Sequence, residues 1–227
     1  MRTSIFTLAT LGFAILAGHG AAAQSNWYIG ASASAAFVAD VSRSTTLFNG
    51  SGRQGPGTNT TTFNPGEAID VALGYRLPFS FRIEADFGYT HYKVDTIDPL
   101  STNGAFPRLN GMRLSNASGG DRNRFTEVVN LFYDLPISYA GLTPYIGGGA
   151  GYFHGWATDA VFRTSGGTRF TQRGATGGAA LVLGEIGVSC ALTPKLSLVP
   201  AYRYEYSIGP LVSHGANIVK LGLRYAF

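Results

Sequence analysis

The last nine residues, 219–227, alternate between apolar and polar or small side chains with a period of two. In an extended strand this alternation places five apolar side chains on one face, namely Val219, Leu221, Leu223, Tyr225 and Phe227. The opposite face carries the cations Lys220 and Arg224 between small residues. An apolar outer face with cations behind it is typical of a transmembrane β-barrel strand, which has lipid outside and polar groups inside.

The same alternation recurs along the chain and predicts eight extended segments of roughly the length that a tilted membrane-spanning strand needs. These segments cover residues 27–38, 67–77, 81–93, 124–135, 144–157, 177–192, 196–208 and 219–227. Short turns alternate with polar stretches at 41–64, 95–121 and 158–175, which we expect to be exposed loops. The pattern predicts an all-β fold, an eight-stranded antiparallel up-and-down transmembrane β-barrel.

The alternation is less clear in one segment and at one residue. The first segment, 27–38, is rich in small residues, and its alternation does not decide which side chains point inward. In the fourth segment, Glu127 shares the outward parity of Val129 and Leu131, and we expect it to lie above the hydrocarbon band.

The inward positions of the other segments carry acids and bases in nearly equal number. They are Asp70, Arg76, Arg82, Glu84, Asp86, Asp134, Glu185, Arg203, Glu205, Lys220 and Arg224. Eight strands leave an interior just wide enough for side chains, so we expect ion pairs to fill and plug it. The alternative is a narrow or gated pore that the same network closes.

The N-terminus has the features of a targeting segment. Arg2 precedes an apolar run over 5–17, and three alanines at 21–23 offer a cleavage site. We therefore predict a signal peptide over 1–23 and a barrel domain over 24–227, without a second domain after it.

Composition excludes several other classes of protein. Beyond the N-terminus there is no run of 18 apolar residues, which excludes transmembrane helices, and the mean hydropathy is only +0.09. The net charge of +4 is scattered, which argues against nucleic-acid binding. Cys190 is the only cysteine, and there is no metal-ligand spacing, so we expect no disulfide, metal or cofactor.

Three motifs carry a resemblance to a known family: T-P-Y-I-G-G-G-A-G-Y over 143–152, A-Y-R-Y-E-Y over 201–206 and L-G-L-R-Y-A-F over 221–227. With them the chain resembles the small outer-membrane barrels of the OmpA-like and opacity-protein type, including surface antigens of alpha-proteobacteria. The resemblance implies a porin-like architecture in the outer membrane of a Gram-negative bacterium, with a structural or surface-interaction role. It also implies that the barrel-assembly machinery reads the C-terminal residues Leu221, Leu223, Tyr225 and Phe227.

Some small barrels of the outer membrane modify lipid A with a histidine, a serine and a glutamate near the outer surface. Ser213 and His214 lie at the last predicted outer loop, and Glu205 lies on the preceding strand. A nucleophile needs its base within hydrogen-bond reach, which the sequence does not establish. We therefore expect a protein that is not an enzyme, because Glu205 is more simply the partner of Arg203.

Five arginines lie in the predicted outer loops: Arg43, Arg53, Arg163, Arg169 and Arg173. The outer leaflet of such a membrane consists of anionic lipopolysaccharide, and arginine binds phosphate in a bidentate manner. We expect these residues to contact lipopolysaccharide, although solvated loop charges are the alternative. We also expect the barrel to be a monomer.

Overall fold

The computed structural model describes residues 25–48, 54–101, 112–167, 169–209 and 214–227, which form thirteen β-strands. The first seven are β1 (Trp27–Val38), β2 (Val41–Phe48), β3 (Gln54–Phe63), β4 (Gly66–Arg76), β5 (Phe81–Ser101), β6 (Met112–Gly119) and β7 (Asp121–Asp134). The others are β8 (Leu142–Ala157), β9 (Ala160–Arg163), β10 (Arg169–Gln172), β11 (Thr176–Ala191), β12 (Leu196–Ile208) and β13 (His214–Ala226). Within these ranges no helix is long and apolar enough to cross a membrane.

Eight of the strands close into one antiparallel barrel, as the alternation predicted. The hydrogen-bonded order is β1, β4, β5, β7, β8, β11, β12 and β13, and β13 pairs with β1 to complete the ring. Closure leaves none of these strands with a free edge, so every backbone group along the ring can pair within the protein.

The strand register fixes how strongly the barrel strands tilt. Following directly paired residues once around the ring from Trp156 on β8 leads back to Ile146 on the same strand, an offset of 156 − 146 = 10 residues. With ordinary spacings along and between strands, this offset corresponds to a tilt of about 40° from the barrel axis. With eight strands the interior is narrow, and side chains can fill it.

The side chains of the barrel strands are apolar outside and polar inside. On β4, Ile69, Val71 and Leu73 are exposed on the outer surface, whereas Asp70 lies on the inner face. On β13, Val219, Leu221 and Leu223 are exposed, and so is Phe227 directly after the strand. The structure also decides the facing of β1: Tyr28 and Ala36 are buried inside, and Trp27 and Phe37 are exposed outside.

The prediction of long exposed loops was wrong in part. Strands β2, β3, β6, β9 and β10 lie in or beside the stretches expected to be loops, and with the end of β5 they form a second sheet in the order β10-β9-β6-β5-β3-β2. We call this sheet the extracellular extension, because it continues the barrel at the end opposite the short turns, where the sequence predicts the outer loops. The signal peptide predicted over 1–23 lies outside the described residues.

Candidate functional site

The barrel interior is closed near its short-turn end by arginine packed on aromatic rings. Arg82 on β5 is only 1% exposed, and its guanidinium lies 4.9 Å and 4.8 Å from the ring centres of Phe132 and Tyr145. Its Nε donates to Asp134 Oδ1 at 2.9 Å, and its Nη1 donates to Glu84 Oε1 at 2.5 Å. The charge of Arg82 is therefore paired with two carboxylates, and its guanidinium lies against the rings of Phe132 and Tyr145.

Two further arginines share this layer with Tyr28 of β1. The Tyr28 hydroxyl donates to Glu84 at 2.6 Å, and Arg224 lies 3.6 Å from the same carboxylate. The guanidinium groups of Arg76 and Arg224 lie 5.7 Å and 5.1 Å from the centre of the Tyr28 ring. Sequence reasoning missed Tyr28 because the facing of its strand was ambiguous.

The middle of the interior is organised around Arg203 of β12. Its Nη2 donates to Asp86 at 2.6 Å and its Nε donates to Glu185 at 2.7 Å. Asp86 also accepts from Asn130, and Glu185 also accepts from Tyr145 at 2.8 Å. Asp86 lies on β5, opposite β12 in the ring, and Glu185 lies on the neighbouring β11, so Arg203 connects two sides of the barrel.

Lys220 of β13 lies beside this centre. Its ammonium is 3.4 Å from Glu185 and 4.0 Å from Asp70, and Ser32 donates to Asp70 at 3.1 Å. The longer distances indicate a looser contact than those of Arg203.

A further inward cation, Arg124 of β7, was not among the predicted interior residues. It is buried and forms an ion pair with Glu205, and Arg203 lies 3.8 Å from the same glutamate. Arg124 has the same parity as Asn130 and Asp134, so the alternation itself could have identified it. With Arg124 added, the predicted set contains six acids and six bases. They are Asp70, Glu84, Asp86, Asp134, Glu185 and Glu205, with Arg76, Arg82, Arg124, Arg203, Lys220 and Arg224.

Inward glycines on one strand make room for large side chains on the next. A Cβ placed on Gly147 would lie 2.2 Å from Phe132, and one on Gly149 would lie 2.1 Å from Asn130 Oδ1. Gly74 stands in the same relation to the Tyr28 ring, at 2.1 Å. The glycine-rich stretch of β8 is therefore complementary to the bulky inner face of β7.

A cavity of about 50 Å³ remains along the wall formed by β1, β4 and β13. Small residues line this wall, including Gly30, Ser32, Ala72 and Gly222. Carboxylates and Lys220 lie on the other side of the cavity. The space is enough for a few water molecules, and its polar lining suits water.

Apolar side chains fill the interior toward and within the extracellular extension. Val128, Leu181 and Leu183 pack together on the inner faces of β7 and β11. In the extension, Val94, Ile97, Leu114, Ala160 and Phe162 form a buried cluster with Phe63 against it. We call this last group the extension core.

The outer surface at the barrel's upper end carries an aromatic group. The rings of Tyr89, Phe125 and Trp156 are in mutual contact, with centroids 5.1 to 6.3 Å apart. Glu127 faces outward, as its parity predicted, but it lies one outward position from Phe125 toward the short-turn end. Its directly paired neighbours are Phe87 and Tyr152. The carboxylate is therefore below this aromatic group, and our placement of Glu127 above the apolar band does not fit this order.

The structure describes the side chains of three of the five arginines that were predicted to contact lipopolysaccharide. Arg163, Arg169 and Arg173 are exposed on or next to β9 and β10. Arg43 lies on β2, but its side chain is not described, and Arg53 lies outside the described residues.

The residues considered for catalysis are not brought together by anything the structure describes. Ser213 and the side chain of His214 lie outside the described part, and Glu205 is buried in its ion pair with Arg124. Among the described residues there is also no cluster of three histidines, cysteines or carboxylates that could hold a metal ion.

Comparison with known proteins gives similarity at the level of structure. No protein-family model matches the chain, and neither does any curated protein. The outer membrane protein OprG from Pseudomonas aeruginosa is 14% identical, with a TM-score of 0.55, over 90% of this chain and 97% of that one. Neisserial surface protein A is 18% identical, with a TM-score of 0.51, over 91% of this chain and 100% of that one. The chain has the fold of the small eight-stranded outer-membrane β-barrels.

Proposed function

We propose that this protein is an integral outer-membrane barrel of a Gram-negative bacterium, with a structural or surface-interaction role and no catalytic activity. The observation that carries the proposal is the filled interior. Guanidinium groups and aromatic rings occupy one end, the Arg203 network occupies the middle, and apolar clusters occupy the other end. A wide open pore would need about 16 strands, whereas this barrel has eight.

The same proposal says which lipids and proteins the barrel contacts. The exposed aliphatic face contacts lipid, and the aromatic side chains at its edges lie at the membrane–water interfaces. The signal peptide directs export through the periplasm, and the barrel-assembly machinery recognises the C-terminal strand through Leu221, Leu223, Tyr225 and Phe227. Lipopolysaccharide packs around the upper end, where Arg43, Arg53, Arg163, Arg169 and Arg173 contact it, and the barrel works as a monomer.

A second candidate is a small gated channel, which the cavity along β1, β4 and β13 favours. The cavity extends beside Lys220, whose ammonium lies 3.4 Å from Glu185 and 4.0 Å from Asp70. Movement of this ammonium would widen the polar space on the side of the barrel where side chains are smallest.

Single-channel recording of the refolded protein in planar bilayers separates the two candidates. A filled interior predicts no discrete conductance steps for the native protein. Reproducible steps that change in size in Lys220→Ala, and not in Lys195→Ala at an exposed short turn, would establish the channel and overturn the closed barrel.

The non-catalytic part of the proposal has its own test. Lipid A from cells with the protein, without it, and with His214→Ala is expected to give identical mass spectra. A mass change that depends on the protein and is lost in His214→Ala would show that it modifies lipid A.

A further inference from the structure

The outer face of the extracellular extension carries three neighbouring arginines. Arg163 on β9 and Arg169 on β10 are directly paired residues of an antiparallel hairpin, and both are exposed. Directly paired side chains point to the same face with Cβ atoms about 5 Å apart. On the other side of Arg163, its paired residue on β6 is Ser115, and Arg113 lies two residues along from Ser115 on that same face.

This arrangement does not help the extension to fold. Like charges that are directly opposite each other on a sheet are destabilising. Among the described residues, no carboxylate forms an ion pair with Arg163 or Arg169 to offset their repulsion. The two side chains therefore present their guanidinium groups to whatever lies outside the protein.

The backbone behind the arginines is held in place. Phe162, between Arg163 and Val161, is 1% exposed, and Leu114, between Arg113 and Ser115, is 5% exposed. Both belong to the extension core, which also includes Ala160 and Val94. The spacing of the arginines is therefore set by a packed sheet, so little conformational entropy of the backbone is lost when a ligand binds.

The position of the patch relative to the barrel indicates what it faces. The extension core continues the inner side of β5, so the face with the arginines continues the lipid-facing surface. On β7 and β8, that surface changes with height from Val129 to the aromatic group of Phe125 and Trp156, and then to the polar Asn123. The arginines lie next in this order, beyond the level at which the acyl chains of a lipid end.

We propose that Arg113, Arg163 and Arg169, together with the Ser115 hydroxyl, form a binding site for phosphate groups of lipopolysaccharide packed beside the barrel. This inference rests on the proposed outer-membrane role and deepens it by naming a site and its ligand. Each guanidinium can bind a phosphate through two parallel N–H donors, and adjacent arginines on strands can share one phosphate or bind two.

The test measures binding of the full-length mature protein, refolded in detergent, to purified lipopolysaccharide and to the same material after chemical removal of its phosphates. The native protein is expected to bind the phosphorylated form at least about tenfold more tightly. Arg163→Gln/Arg169→Gln is expected to lose about that factor for the phosphorylated form only. Binding should also weaken with added salt, because the contact is ionic and exposed.

Two control variants keep the result specific. Lys195→Gln removes an exposed cation at the opposite end of the barrel and is expected to bind as the native protein does. Arg163→Lys/Arg169→Lys keeps the charge but loses the bidentate geometry and should fall between the native and glutamine forms. Heat-modifiable migration in gels checks that every variant is folded.

Three outcomes would overturn the site. They are equal binding of phosphorylated and dephosphorylated lipopolysaccharide, no loss in the folded double glutamine variant, and an equal loss in Lys195→Gln. A soluble sulfated polysaccharide that binds through these arginines while lipopolysaccharide does not would assign the patch to a different polyanion. In each case the closed-barrel role would stand, since its test is conductance and not lipid binding.

Discussion

The membrane barrel and the extracellular extension place their apolar side chains on opposite sides of the same sheet. Strand β5 passes through both regions and shows the reversal within one element. In the barrel, Arg82, Glu84 and Asp86 are buried inside, while Phe87 is 55% exposed outside. Further along the strand, Val94 and Ile97 are buried in the extension core, and the buried Thr96 is hydrogen-bonded to Thr62.

The difference shows how the surroundings determine the pattern of a strand. In lipid, an apolar outer face costs nothing, and the polar groups must satisfy one another inside. In the proposed outer-membrane position, the outer face of the extension meets water, so the usual burial of apolar side chains applies there. One continuous strand therefore needs two patterns, and the change falls near the aromatic group of Tyr89, Phe125 and Trp156.

The largest effect is expected from removing the central cation of the barrel. Arg203→Leu leaves Asp86 and Glu185 buried beside a hydrocarbon side chain, and loss of one partner of a buried pair costs about 3–5 kcal/mol. Urea unfolding in detergent micelles measures the change. Arg173→Leu, at an exposed arginine after β10, is the control and should stay within about 0.5 kcal/mol. Equal midpoints for the two variants would refute the network as a source of stability.

A truncation in the extension core is expected to act locally. Phe162→Ala removes a fully buried ring, at a cost of about 3–5 kcal/mol to the packing of the extension. Because the barrel has its own interactions, trypsin should cut the extension at Arg163 and Arg169 while the barrel stays intact. Phe125→Ala, at an outward phenylalanine, should not increase this cleavage. Loss of the whole barrel in Phe162→Ala would show that the two regions fold as one unit.

Alanine substitutions at glycines compare the inner and outer faces of the barrel, with a smaller expected change in stability. Gly149→Ala places a methyl group against Asn130 and the Val129 carbonyl and is expected to destabilise the barrel by about 1–3 kcal/mol. Gly184→Ala, on the outer face with nothing within 4 Å, should be neutral or stabilise by up to about 1 kcal/mol. The two unfolding curves are compared directly. Equal destabilisation would contradict the explanation of Gly149 by interior packing.

The smallest change in stability is expected from replacing Glu127, the carboxylate on the outer face of β7. Glu127→Leu replaces an ionisable group between Phe87 and Tyr152 and should raise stability in lipid bilayers by up to about 1 kcal/mol. Glu67→Leu, on the outer surface directly opposite His91, is the matched change nearer the water and should give no gain. A loss of stability in Glu127→Leu would indicate that this carboxylate has a partner.

The alternation in the sequence was sufficient to predict the eight barrel strands, because lipid imposes a simple rule on every membrane-spanning residue. The segment predicted over 67–77 corresponds to β4 at Gly66–Arg76. The extension was missed because strands such as β2 and β3 are rich in serine, threonine and glycine, a composition that ordinarily indicates loops. Their pairing with β5 overrides that local preference.

The inward parity of most interior charges could be predicted, but their partners could not. Arg203 contacts Asp86, which is 117 residues away, and this pairing depends on the tilt of the strands and on the closing of the ring. Neither quantity is visible in one sequence. The inward position of Arg124 could have been predicted, because its parity on β7 is that of Asn130 and Asp134.

The reversal along β5 is the central claim, and it is tested most directly by nitroxide labels placed one at a time along this strand in a Cys190→Ser background. In lipid bilayers, labels at Ile83 and Phe87 should be accessible to dissolved oxygen and shielded from a water-soluble nickel chelate. A label at Lys93 should be accessible to the chelate, and labels at Val94 and Ile97 should be shielded from both. Accessibility of Ile83 and Phe87 to the nickel chelate would contradict the account.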